Sequence, residues 1–423
     1  MQNYNGEGDG IMVQVAASHA RGKKSGDKAF ELNGLAIEAA AKYGKDKVLN
    51  ATVGSILDET GSMVLLPTVE KIYRNLPAND IAAYAPIDGL PNYLSGIQDV
   101  TFRQSRPEAY TAAIGTAGGT GALHHAIWNY SELGDTVISS DWYWGAYTTL
   151  IGDAMRKFDT FAFYTEEKTF NVAAFEAKVL DVLGRQESLL SIINSPAHNP
   201  TGYSLTDSEW DAVLDVLIGQ ATKGKRIALL VDIAYLDFAG DAEKCRQFMK
   251  KFSNLPANMI VMLSVSMSKS FTLYGQRAGA VIGISSDKEA IGEFKAAMDV
   301  TSRGTWSNIN RSAMKILATI NEDKALFDAV EKERAEYKEL IEKRSAIFVD
   351  EAAQVGLDIL PYCGGFFISI PTTNSAAAVE KLMEKQIYTL PLQKGVRIAT
   401  CATPLAQLPG LAKMVKEAID NTK

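Results

Sequence analysis

Ser266-Met-Ser-Lys269-Ser-Phe-Thr-Leu-Tyr274-Gly275-Gln-Arg277-Ala-Gly279 follows closely on the apolar run Met259–Leu263. That run has the length of a buried strand, and Thr136–Ser139, Leu189–Ile193, Ile227–Val231 and Ala278–Ile284 read the same way. Amphipathic stretches of helical length, such as Asp207–Gln220, lie between several of them. The alternation predicts an α/β fold: a large domain whose mainly parallel sheet is sandwiched by helices. Such sheets receive ligands beyond the carboxyl ends of their strands. Lys269 stands just past one of these ends, where desolvation lowers the pKa of an amine and favours a nucleophile. The nearby hydroxyls and Arg277 can converge on a phosphate. A loop carrying a solvated lysine is the competing reading.

Further along, Lys324–Gln354 contains neither glycine nor proline. Leu326, Phe327, Val330, Tyr337, Leu340, Ile341, Ile347 and Phe348 recur mostly at three- and four-residue steps, which predicts a long amphipathic helix. Beyond it, β-like runs (Gly365–Ile370, Val396–Thr400) alternate with helical ones (Ser375–Lys385, Pro409–Ile419), the pattern of a smaller α/β domain. We read residues 1–30 as an N-terminal arm, 64–330 as the large domain, and 31–63 with 331–423 as the small one.

Bulk properties narrow the function. At 423 residues the chain exceeds one core. A net charge of −7 and a pI near 5.4 argue against a nucleic-acid partner. The basic stretch Arg21–Lys24 reads as a solvated segment. Three scattered cysteines, Cys245, Cys363 and Cys401, suit a reducing cytoplasm rather than a disulfide framework or a zinc site. No secretory leader or bilayer-length apolar run is expected, hence no membrane partner. The four histidines lack metal-ligand spacing, and the adjacent His124 and His125 are expected to diverge on a helix.

Four more segments bear on chemistry. Asn199 lies in His198-Asn199-Pro200-Thr201-Gly202, which is also good turn chemistry. Asp232 ends the run Ile227–Val231 and opens Asp232-Ile-Ala-Tyr235; an acid there is costly unless paired. Thr116-Ala-Gly118-Gly119-Thr120-Gly121 opens an apolar helix, whose free N–H groups and small residues suit an anion. Arg397, in Gly395-Val-Arg397-Ile-Ala, is an arginine in an apolar run and needs an anionic partner.

Taken in order from about Asn50 to Ala402, these segments resemble those of the class I aminotransferases, fold-type I enzymes that use pyridoxal 5′-phosphate (PLP). The pattern Ser-x-Ser-Lys, then glycine and Arg-x-Gly, resembles their Schiff-base lysine signature. The resemblance implies that Lys269 bonds the cofactor and is the catalytic residue, while Ser266, Arg277, Gly119 and Thr120 hold its phosphate. It implies that Asn199 and Tyr235 face the phenolate oxygen and Asp232 the ring nitrogen, with Trp144 stacked on the ring. Trp142 is a competing stacker. Arg397 and Gly54 are implied to contact the substrate. Tyr84 resembles the tyrosine that reaches the phosphate of a neighbouring subunit, which implies a homodimer with shared active sites. Arg303, in Ser302-Arg303-Gly-Thr-Trp-Ser307-Asn308, resembles the arginine that reads an acidic side chain from the other subunit; a solvated loop arginine is the alternative.

Two departures accompany the resemblance. Gly118 stands where the family has a serine, and Tyr147 where its aspartate enzyme has a histidine, which leaves the tuning of Asp232 open. The expected activity is transfer of an amino group from an amino acid, aspartate or aromatic, to a 2-oxo acid such as 2-oxoglutarate. The alternatives are another fold-type I chemistry (a β-lyase or a ring-forming synthase) and a PLP-sensing regulator.

Overall fold

The computed structural model describes residues 15–23 and 26–422. Among them, β1 (Leu49–Asn50) stands apart from the seven strands that follow: β2 (Tyr110–Thr116), β3 (Thr136–Ser140), β4 (Lys157–Phe161), β5 (Ser188–Asn194), β6 (Arg226–Asp232), β7 (Met259–Ser266) and β8 (Gly279–Ser285). These seven form one sheet in the order β2-β8-β7-β6-β5-β3-β4, in which β8 alone runs against the rest. The carboxyl ends of β2, β3, β5, β6 and β7 therefore share one edge. The mainly parallel sheet expected from the sequence is present, with β2 and β4 added to the five strands read there.

The unbroken apolar runs arise because successive side chains leave a strand on opposite faces. In β6, Ile227, Leu229 and Val231 enter the cluster that holds Trp210 and Val213, while Ala228 and Leu230 enter the one that holds Leu123 and Phe294. Each large apolar side chain buried this way stabilises the fold by about 1.5–3 kcal/mol. Asp207–Ala221 is the helix expected there, and Thr206 with Glu209 closes a reciprocal cap at its start.

Three later strands, β9 (Phe367–Pro371), β11 (Leu390–Leu392) and β12 (Gly395–Ala399), make an antiparallel sheet of their own. The intervening β10 (Ile387–Tyr388) pairs in parallel with β1. The long helix spans Lys324–Val355, capped by the Asp323 carboxylate and ended by Gly356 at φ 66°. Its buried side chains pass from one core to another: Val330 packs under the seven-stranded sheet, whereas Phe348 and Ala352 pack with Ile368 and Val396. Arg334 on this helix donates to the carbonyl of Ser270 at 3.0 Å, next to Lys269. Arg344, fully buried, donates to the carbonyls of Leu57 (2.9 Å) and Cys401 (2.8 Å).

One expectation needs correction. His124 and His125 do not diverge: their Nδ1 atoms lie 3.3 Å apart, because His125 is drawn under a stack with Trp306 at 4.3 Å and bonds Ser302 Oγ at 3.0 Å. No cluster of three or more His, Cys, Asp and Glu able to hold a metal occurs among the described residues. Within the span read as an arm, residues 1–14 and 24–25 lie outside the described part, so Lys24 of the basic stretch does too. The remainder is not all irregular, since a helix capped by Asp27 begins at Lys28. Exposed Lys23 pairs with Asp153 at 2.5 Å. Among the described residues no helix is long and apolar enough to cross a membrane.

Candidate active site

Strand β7 ends at Ser266, whose hydroxyl accepts the Ser268 N–H at 3.2 Å and starts a single helical turn that carries Lys269. The Lys269 amine donates to the Gly54 carbonyl at 2.6 Å and lies 4.8 Å from the centre of the Tyr274 ring and 5.7 Å from that of Tyr235. Removal from water pulls its pKa down to about 8; Arg397 and Arg277 push the same way, while Cys401 and Asp232 oppose. Gly54 is required here, since a Cβ would come within 2.5 Å of Phe367 Cζ.

At the neighbouring strand end, Asp232 is buried. Its Oδ2 accepts from the Tyr147 hydroxyl at 2.8 Å and its Oδ1 from the Ala234 N–H at 3.2 Å. Burial pushes its pKa up to about 6, against the Tyr147 and Ala234 bonds and the Lys269 charge. Asn194, ending β5, donates to the Asp232 carbonyl at 2.8 Å and accepts the Asn199 N–H at 2.6 Å, so it ties two site residues together. Arg397 donates to Asn199 Oδ1 at 3.1 Å and to the Thr52 carbonyl at 2.6 Å. With its oxygen so engaged, Asn199 turns its NH₂ toward the Tyr235 hydroxyl, 3.5 Å away. The Arg397 Nε is buried without a partner among the described residues. Burial pulls the pKa of this guanidinium down to about 10.

The glycine-rich turn starts the helix Gly118–Asn129 beside this group. Gly118 takes φ 70°, and a Cβ there would sit 2.8 Å from Arg277 Nη2. The departure from serine thus leaves room for the guanidinium in a backbone conformation that side chains disfavour. A Cβ on Gly119 would lie 3.4 Å from Ser266 Cβ, so Gly119, Ser266 and Arg277 border one spot, with Thr120 following in the helix. Arg277 donates to Ser268 Oγ at 3.3 Å. Trp144 is half-buried and meets the Tyr147 ring edge-on, whereas Trp142 is largely buried in the core but borders the same cavity.

A cavity of about 570 Å³ is lined by Thr120, Trp142, Trp144, Asn199 and Arg397, together with Asp27 and Lys28. Neither Tyr84 nor Arg303 lines it. Tyr84 is 88% exposed. Arg303 is exposed and bonds Ser307 Oγ from the last turn of the helix Lys288–Thr305, not from a loop.

The sequence reading missed Asn194, Tyr274, Asp27 and Lys28. Asn194 ends an apolar run just as Asp232 does, a signal that was present. Asp27 had its capping chemistry but no strong periodicity behind it.

The chain has relatives of known kind. The aromatic-amino-acid aminotransferase of Escherichia coli (strain K12) is 28% identical over 357 residues, 80% of this chain and 85% of that protein. The crystal structure of an aminotransferase from Anaerococcus prevotii matches with 38% identity and a TM-score of 0.93, covering 97% of this chain and 100% of that one. The aromatic-amino-acid aminotransferase of Burkholderia pseudomallei, solved covalently bound to pyridoxal phosphate, shares the fold with a TM-score of 0.77 at 23% identity, covering 96% and 100%. With a half-buried lysine, a buried aspartate and a glycine turn assembled at one sheet edge, and with the family model of aminotransferase class I and II matching residues 46–415, the chain belongs to that family.

Proposed function

We propose that the protein moves the amino group of an amino acid to a 2-oxo acid, using PLP held on Lys269. The observation that carries this is the half-buried, pKa-lowered Lys269 amine, bonded to the Gly54 carbonyl and within electrostatic reach of Asp232 and Arg277. The residues fit the cofactor's parts. The glycine turn with Ser266 and Arg277 suits a phosphate. Buried Asp232, its pKa raised, suits a cationic ring nitrogen, and the Asn199 NH₂ with the Tyr235 hydroxyl suits a phenolate oxygen. Trp144 borders the cavity where the ring would stack.

When bound, the cofactor supplies an electron sink that makes the substrate Cα–H acidic. Arg397 pairs with the substrate carboxylate through its unpartnered Nε edge and so orients Cα, with Gly54 alongside. The Lys269 amine would take the Cα proton and deliver it across the transferred nitrogen, two atoms from Cα, as base and then acid. Asp232 keeps the ring nitrogen protonated throughout. The first keto acid leaves before the second binds, so ping-pong kinetics follow.

The test is a panel of amino acids with 2-oxoglutarate, scored for the matching keto acids. Release of pyruvate and ammonia instead would assign a β-lyase. A cytoplasmic location belongs to the proposal, supported by three unpaired cysteines. So do the domain limits 64–330 and 31–63 with 331–423, supported by the pairing of β1 with β10 and the packing of Leu49 and Ala51 against Ile368 and Val396. Residues 1–30 remain the proposed arm, with its last residues already helical.

We further propose a homodimer with shared sites, because the exposed Tyr84 would reach only the phosphate of a second copy. Sedimentation should find the active species to be a dimer, and Tyr84→Phe should loosen PLP about tenfold, the loss of one charge-assisted bond. An active monomer would refute this. Arg303, equally outward, would read an acidic side chain bound to the second copy. Arg303→Ala should lower kcat/KM roughly a hundredfold with aspartate or 2-oxoglutarate and little with aromatic amino acids. Equal losses for both classes would remove Arg303 as the selector.

A further inference from the structure

We propose that Tyr147 is a positioning residue for the reaction: its phenol, bonded to Asp232 Oδ2, keeps the carboxylate ionised and aimed at the cofactor's ring nitrogen. This rests on the reading of Asp232 as the nitrogen's partner. Tyr147 is fully buried in the first turn of the helix Ala146–Asp153, packed in the cluster that holds Leu123, Ile151 and Leu190. A side chain serving only to fill that space has no use for a hydroxyl, which is costly to bury unless paired. Here it is paired at 2.8 Å, and the partner is the buried carboxylate.

With Ala234 N–H on Oδ1, each carboxylate oxygen has one protein donor, and two donors on different oxygens fix the plane of the group. The same residue also sets the stacking ring. The Tyr147 N–H donates to the Trp144 carbonyl at 2.9 Å, and the two rings meet edge-on at 5.8 Å. One side chain thus joins the group proposed to hold the ring nitrogen to the group proposed to cover the ring's face.

The chemistry of the donor matters too. The groups acting on Asp232 are Tyr147 from the helix, Ala234 N–H from the turn after β6, and Lys269 beyond β7; of these Lys269 alone can carry charge while Tyr147 remains a phenol. Burial and the neighbouring carboxylate push the Tyr147 pKa well above its ordinary value, so it neither ionises nor becomes a cation at working pH. An imidazole in its place could become one.

The test uses holoenzyme loaded with PLP labelled with ¹⁵N in the ring, read by NMR for nitrogen protonation, together with the PLP dissociation constant and steady-state kinetics. Asp232→Asn should move the ¹⁵N shift to that of an unprotonated ring. Tyr147→Phe, which keeps the packing, should move it part of the way, raise the PLP dissociation constant about tenfold and lower kcat about tenfold with little change in KM. Tyr147→His, which keeps a donor, should recover most of the shift. A wild-type ¹⁵N shift in Tyr147→Phe, alongside a displaced one in Asp232→Asn, would show that Tyr147 merely packs. An unchanged shift in Asp232→Asn would overturn the reading of Asp232, and this inference with it.

Discussion

Lys269→Ala should lower kcat by about ten thousandfold or more, because one substitution removes both the group that bonds the cofactor and the group that carries the Cα proton. The variant should still take up PLP, since the residues proposed to hold its phosphate, nitrogen and phenolate oxygen all remain. Reduction of the wild-type holoenzyme with borohydride should leave the cofactor on the peptide that contains Lys269, and recovery on any other lysine would sink the assignment. The rate at which apoenzyme takes up PLP covalently should climb with pH and level off above about 8, since only the neutral amine has a lone pair. The sign for stability follows from the same shift. The folded pKa lies below the 10.5 of a solvated lysine, so the cost of burying the charge is present below about 8 and relieved between there and 10.5. This group's contribution to apoenzyme stability therefore rises through that window.

Arg397→Met should lower kcat/KM for amino acids by roughly three orders of magnitude, about 4 kcal/mol. The guanidinium sits 4.0 Å from the centre of the Phe367 ring and is bonded to Asn199 and Thr52, while its Nε has no partner among the described residues. A substrate carboxylate that completes the pair does so out of water, where a bidentate charge-assisted contact is strongest. An amine without the carboxylate should be converted slowly and alike by both proteins. If the variant lost as much on that amine as on amino acids, the role of Arg397 would be to hold Asn199 in place rather than to bind substrate.

Much of this arrangement was legible before the coordinates. Apolar runs marked the central strands because those strands are covered on both faces, and the polar residues at or just past their ends, Asn199, Asp232 and Lys269, came to one edge because parallel strands end together. β2 escaped notice because Ala112, Ala113 and Gly115 give a weak apolar signal, and β4 because an edge strand keeps polar residues such as Asp159. Contacts between distant segments left no trace in spacing. Tyr147 and Asp232 are 85 positions apart, and nothing local announces that one bonds the other. The His124–His125 approach was misread because helical geometry fixes where Cβ points, while the Trp306 stack decides where the ring goes.

The helix Lys324–Val355 acts as a ruler. At about 1.5 Å per residue its 32 residues make a rod of roughly 48 Å. Arg334 grips the carbonyl beside Lys269, and ten residues on Arg344 grips the carbonyl of Cys401, four residues from Arg397. The gap between the amine and the guanidinium is thereby measured off along a rigid rod instead of across loops. Changes in the surface segments around the cavity should therefore alter substrate preference without altering the spacing that the chemistry needs.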